Sequence, residues 1–410
     1  MQQLIKAIMP VDEKVDQVLS KAQKKGIDAQ REEELRRVEK VRIEQQQQEL
    51  EKKEIERLEV QRNLEKQESE TKSSEMNHAE NKKHVPKTVD KFSQYISEKA
   101  LIEYTQLQDH LNSVQASFKE FIIDPKNTKY KFDIQKAVNN PINALSAHSP
   151  QQLNDKIRRL VELLKGNNVE VGGKHVNCKG HPCAMAFCQD LVAKKLVMQG
   201  AQQVSSNPES AFLYSAVIVG IWSIFPDVGK LILAHFYRSY PYLVPYYMPQ
   251  VEGQTNQDYY KALGYSVNNN QVEDENHFLK KFSGTVQLYA AVVSSKGATL
   301  PDHPHGIEHG WTWMARTVNL KPHPNITATM LFEFIKVCGH LMMQQYRKQF
   351  QKLLLLLCKE YLPAIENVTP IEKRGPTQRF KDFLQECIKM QRIALPKGYL
   401  TERWWQTGHF

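Results

Sequence analysis

Residues 231–247 read LILAHFYRSYPYLVPYY, an apolar helix that runs into an aromatic, proline-rich turn. His235 and Arg238 stand one helical turn apart near its end, so their side chains share a face. Tyr240 and Pro241 then stop the helix, because proline lacks the N–H that a continuing helix needs. Cations near a helix C-terminus are favoured by the macrodipole whatever the function. The pair therefore acquires meaning only from the sequence around it.

Outward from this stretch the chain reads as helix after helix. Apolar residues recur at spacings of three and four from about residue 90, as in Tyr95, Ile96, Leu101, Ile102, Tyr104, Leu107 and Leu111, then Ile157, Leu160, Val161 and Leu164. The same spacing predicts helices over 183–203, 208–223, 226–238, 277–296, 307–318, 326–362 and 377–391. Asn207-Pro208-Glu209 has the form of a helix start, with Pro226-Asp227 doing similar work for the next helix. Strand signals are scarce, and no alternating β-branched run is bounded by Asn-Gly. Short turns between successive helices predict an all-α, irregular solenoid-like array over 90–410. Residues 248–275 read as a polar insertion with one short helix, and Trp404 and Trp405 as a tail that packs back.

The first part of the chain differs. Residues 1–28 read as a flexible segment, and residues 29–70 contain no Gly or Pro and are rich in Glu, Arg, Lys and Gln, all good helix formers. Their apolar positions hold no strict heptad, so a long charged helix or weak coiled coil is expected there. Residues 71–89 are polar, without apolar periodicity, and read as a linker. Charge follows the same division: residues 1–90 carry 19 Lys+Arg against 20 Asp+Glu, whereas residues 91–410 carry 36 against 26. The positive excess falls on the expected globular body and favours phosphates, nucleic acid or an acidic protein face. No stretch reads as a membrane span; Leu353 to Cys358, the longest apolar run, reads as a buried helix segment. The N-terminus lacks a signal-peptide pattern, and six cysteines without a regular framework read as free thiols in a reducing compartment, cytoplasm or nucleus.

Two clusters could hold metal. One is KHVNCKGHPCAMAFC, with His175, Cys178, His181, Cys183 and Cys188; the other is DHPHGIEHG, with His303, His305, Glu308 and His309. Neither has paired C-x-x-C knuckles, and the ordinary reading of buried Cys and surface His is preferred to zinc in both. Phosphate-loop, dinucleotide, HExxH and GxSxG motifs are missing, so no enzyme is expected. What remains is a basic patch: Lys194 and Lys195 on one helix, and Lys230, His235 and Arg238 on another. If the array brings them together they could clamp a polyphosphate; a solvated positive face is the plainer reading.

Long strings of the chain resemble the Gle-one family of mRNA-export mediators of the nuclear pore. They are KFSQYISEKALIEYTQLQDHLNSV, KHVNCKGHPCAMAFCQDLVAKKLVMQG, NPESAFLYSAVIVGIWSIFPDVGKLILAHF, YPYLVPYY, HPHGIEHGWTWMAR and PKGYLT. The resemblance runs from about Lys91 to the C-terminus, and the charged helix is similar to the family's coiled-coil region. No counterpart of the family's N-terminal scaffold-binding segment is expected within these residues. The resemblance implies a HEAT/MIF4G-like helical domain that is not an enzyme. It implies binding and stimulation of the export DEAD-box helicase on the cytoplasmic face of the pore. Further implied partners are a phenylalanine-glycine nucleoporin, translation initiation factors and self-association through the charged helix.

The family's fungal members hold inositol hexakisphosphate in a basic pocket, and the resemblance carries that pocket over only in part. Its lysine and arginine positions fall on Lys194, His235 and Arg238, with Lys195 beside them. Others fall on Met198, Ser239 and Ile142, none of them cationic. Each missing charge-assisted hydrogen bond forfeits roughly 1.5–3 kcal/mol, so weak binding of that ligand is expected. From the residues alone, direct binding of single-stranded RNA stands as the competing function, drawn from the positive body.

Overall fold

The computed structural model describes residues 94–145, 149–269, 271–295, 303 and 305–401. The expected segment 1–28, charged helix 29–70 and linker 71–89, and also Trp404 and Trp405, lie outside the described residues.

The described body is an all-α array, as the periodicity predicts. Its helices are α1 (Glu98–Ser117), α2 (Lys119–Ile123), α3 (Thr128–Asn143), α4 (Pro150–Leu164), α5 (Ala184–Gln199), α6 (Ala211–Ile224) and α7 (Pro226–Ser239). Then follow α8 (Asn256–Ala262), α9 (Glu275–Ser294), α10 (Ile307–Val318), α11 (Ile326–Tyr346), α12 (Lys348–Leu356), α13 (Leu362–Val368) and α14 (Gly375–Met390). The core centres on α6 and α9. In α6 every residue from Ala211 to Trp222 is buried, and in α9 every residue from Gly284 to Ser294. Helices apolar on all sides have to be enclosed: α9 packs on α11 and α6, α7 on α5 and α1, and α11 on α14.

Several local expectations change in the structure. Helix α5 continues into a wider π turn, Gly200–Val204, and the Asn207-Pro208 start opens a short 3-10 turn in which the Asn207 side chain makes no cap. The single run expected over 326–362 is broken at Arg347, which takes φ +45°. Of Leu353 to Cys358 only Leu354 and Leu357 are buried, while Leu355 and Leu356 are exposed. Helix α11 does have the length and hydropathy of a membrane span, but 72% of that window is buried inside the fold, so it is a core helix.

Two small hairpins escaped the reading. Val169–Val171 (β1) pairs antiparallel with Lys174–Val176 (β2), and Val267–Asn268 (β3) with Gln271–Val272 (β4). Gly172 and Gly173 both take positive φ between β1 and β2, supplying the two-residue turn that Asn-Gly would otherwise supply.

Candidate ligand site at the junction of α1, α5 and α7

Helix α7 begins as its sequence dictates, with Pro226 at its first position and Asp227 in the first turn. Its apolar residues from Val228 to Phe236 enter the core, which leaves His235 and Arg238 to meet the polar faces of α5 and α1. His235 is buried, and its Nε2 donates to Oδ1 of the equally buried Asp190 at 2.8 Å. The carboxylate can only accept, so Nε2 carries the proton.

Arg238 is bound along a polar stripe of α1. Its Nε donates to Gln108 Oε1 at 2.8 Å, its Nη1 to Gln115 Oε1 at 3.0 Å, and its Nη2 to Asn112 Oδ1. Gln115 hands the network on, its Nε2 donating to the two Asp190 carboxylate oxygens at 3.3 and 3.4 Å. Gln108 Nε2 donates to the Ala234 carbonyl at 3.0 Å, which fixes that amide's orientation as well. Burial lowers the Arg238 pKa, while Tyr104 and Asp190 work in the opposite direction.

Lys194 lies one turn beyond Asp190 on α5 and is exposed, with no hydrogen bond or ion pair among the described residues; Lys195 beside it is half-buried. The structure thus joins His235 and Arg238 through Asp190 and Gln115, whereas Lys194 and Lys195 stay outside that network. Lys230 pairs with Asp227 on its own helix at 3.0 Å. Of the non-cationic positions, Ile142 is fully buried, and Met198 and Ser239 are half-buried. Sequence reasoning missed Asp190, Gln108, Asn112 and Gln115. The spacing of the three amides, at i, i+4 and i+7 in an otherwise ordinary polar helix, was their only signal.

The histidine and cysteine clusters have other occupations, and among the described residues no group of three or more His, Cys, Asp or Glu is placed to hold a metal ion. His181 lies against Phe121 at 4.7 Å between ring centres, and its Nδ1 accepts from the Cys183 N–H. His303 Nε2 donates to the Val292 carbonyl at 3.0 Å, and its Nδ1 accepts from the His305 N–H. His305 stacks on Trp222 and hydrogen-bonds the Tyr289 hydroxyl at 3.0 Å.

Comparison with known proteins gives this arrangement a family. Residues 105–358 match the model described as GLE1-like protein. The chain belongs to the GLE1-like family. It is 38% identical over 309 residues to the mouse mRNA export factor GLE1, covering 74% of this chain and 44% of the mouse protein. The zebrafish relative of the same name is 40% identical over 268 residues, covering 63% of this chain and 38% of its own length. The chain thus spans less than half the length of these curated relatives. The GLE1-like fold is seen also in the solved structure of the Saccharomyces cerevisiae Dbp5 C-terminal domain bound to Gle1 and IP6, where the match has a TM-score of 0.61 at 20% identity. That match covers 73% of this chain and 97% of the solved one.

Proposed function

We propose that this chain is an mRNA export factor that docks its helical body on the C-terminal domain of a DEAD-box helicase and drives that enzyme's ATPase cycle. It acts through binding and performs no chemistry of its own. The observation that carries the reading is its kinship, over 74% of its length, with the mouse mRNA export factor. The yeast complex of Dbp5, Gle1 and IP6 adds the type of partner and the type of small ligand. In this reading the place of work is the cytoplasmic face of the nuclear pore, with passage through cytoplasm and nucleus, and a phenylalanine-glycine nucleoporin binds the same body. Inositol hexakisphosphate binds weakly, because Met198, Ser239 and Ile142 supply no charge and Arg238 is already engaged by α1. The test is RNA-stimulated ATP turnover by the purified export helicase with increasing amounts of the chain. Turnover is expected to rise; no rise at saturation overturns the reading.

A second reading, direct binding of single-stranded RNA, has one feature in its favour. Phe132 is exposed on α3 with Lys136 Nζ 4.3 Å from its ring centre, and Lys129 lies one turn earlier. A stacking platform among cations suits a single strand. Affinity falling steeply with salt would support it.

A further inference from the structure

The missing lysines leave unexplained why His235 and Arg238 are so fully occupied. We propose that Asp190 is an internal counter-ion at the α1–α5–α7 junction, a buried carboxylate beside the cations that a polyphosphate would use, and hence a determinant of ligand specificity. The proposal rests on the reading above that this is the inositol phosphate site, and it adds a cause that the sequence comparison did not contain.

The argument begins with who holds whom. Arg238 directs its three kinds of N–H at three neutral amide oxygens, those of Gln108, Gln115 and Asn112. Neutral acceptors are weak competitors for a guanidinium, because charge-assisted hydrogen bonds are about twice as strong. A phosphate could displace them. Asp190 is the harder obstacle. It is 7% exposed and fixed by two donors, His235 Nε2 and Gln115 Nε2. Gln115 bonds Arg238 through its oxygen and Asp190 through its nitrogen, so cation and carboxylate are separated by a single side-chain amide. At such a separation the charge of the buried carboxylate is only partly screened from an arriving polyanion, and the two repel. Asp190 can neither turn away nor be displaced without leaving His235 and Gln115 unpaired. Lys194, one turn along α5 and without a partner among the described residues, is the cation that remains open to a ligand.

Asp190→Asn is close to isosteric and keeps an oxygen that can accept from His235 Nε2. The experiment is isothermal calorimetry of the full chain with IP6 near physiological ionic strength. Asp190→Asn is expected to tighten binding by about tenfold over the unmodified chain, the size of one poorly screened charge interaction, and the gain should shrink at high salt. Asp190→Ser, which also removes the charge and leaves a hydroxyl oxygen that can accept a hydrogen bond, should move affinity the same way and serves if Asp190→Asn does not fold. A cooperatively folded Asp190→Asn chain that binds IP6 no more tightly than the parent overturns the proposal, as does Asp190→Ser if it alone folds and shows no gain. Helicase stimulation without IP6 is a separate readout. Its failure would count against the proposed function and leave the calorimetric result standing.

Discussion

Gly284 marks the place where two backbones touch. A Cβ built there would lie 2.2 Å from the Gly200 carbonyl oxygen and 2.4 Å from the Ser205 nitrogen, main-chain atoms of the π turn that ends α5 and of the residue that caps it. Neither can rotate aside, so Gly284→Ala should force α9 from that turn and cost roughly 1–3 kcal/mol or more, read as a lower urea midpoint. His303 yields a second prediction at this scale. Burial holds its pKa down at about 4 against a usual 6.5, with the Val292 hydrogen bond and Glu308 opposing and His309 adding to the fall. A depressed histidine pKa means that the unfolded chain binds the proton first. Its contribution is therefore whole above pH 6.5, declines as pH falls towards 4, and levels off below that. The melting temperature should drop across that window, and His303→Gln should flatten the slope; an unchanged slope would count against a neutral buried ring. In sequence this residue belonged to DHPHGIEHG, which looked like a metal cluster. What the string could not show was that Val292, Tyr289 and Trp222, all outside it, occupy the imidazoles.

Helix α1 combines a thin apolar face with polar ties. Of its 20 residues only Ala100 and Leu111 are buried. Glu103 accepts from the Tyr237 hydroxyl at 2.9 Å and from Arg316 Nη1 at 2.8 Å, which ties α1 to α7 and α10. The Arg238 stripe secures the other half. Arg238→Met keeps much of the side-chain length but strands three amide oxygens, at a cost of roughly 1.5–3 kcal/mol. The loss should appear as local opening: amide exchange in 98–117 should accelerate about tenfold or more while α9 is unaffected. Equal acceleration in both helices would mean that Arg238 supports the whole fold and not this one element. Elements of this kind were legible where apolar periodicity was strong, as in α7 and α10, whose expected and observed limits agree within one residue. They were illegible where the backbone made the decision. Arg347 carries no turn signature yet takes φ +45° and splits the expected 326–362 helix, and Gly172-Gly173 closes a hairpin too short to show alternation. The site was half legible for a similar reason. His235 and Arg238 lie within one helical turn, whereas Asp190 and the α1 amides reach them only through packing of helices 45 to 130 residues apart.

At the scale of the whole molecule, charge and composition change together. The positive excess of residues 91–410 coincides with the helical array, while the evenly balanced residues 1–90 combine a run of helix formers with a polar stretch read from the sequence as a linker. Such a linker, low in apolar residues, has little to bury and is the natural point of proteolytic attack. We expect limited proteolysis to cut first within residues 71–88 and to leave a stable fragment starting near residue 90. The buried α6 and α9 argue the same way, because a first cut between 210 and 240 would have to open fully enclosed helices. If the charged helix serves assembly and the array serves the helicase, the two activities should separate with the fragments. The fragment from about 90 onwards should stimulate RNA-dependent ATP turnover as the whole chain does, yet sediment as a monomer where the whole chain self-associates. A stable fragment that no longer stimulates the helicase would place part of the docking surface in the first 90 residues, and the array alone would then be a scaffold and not the activator.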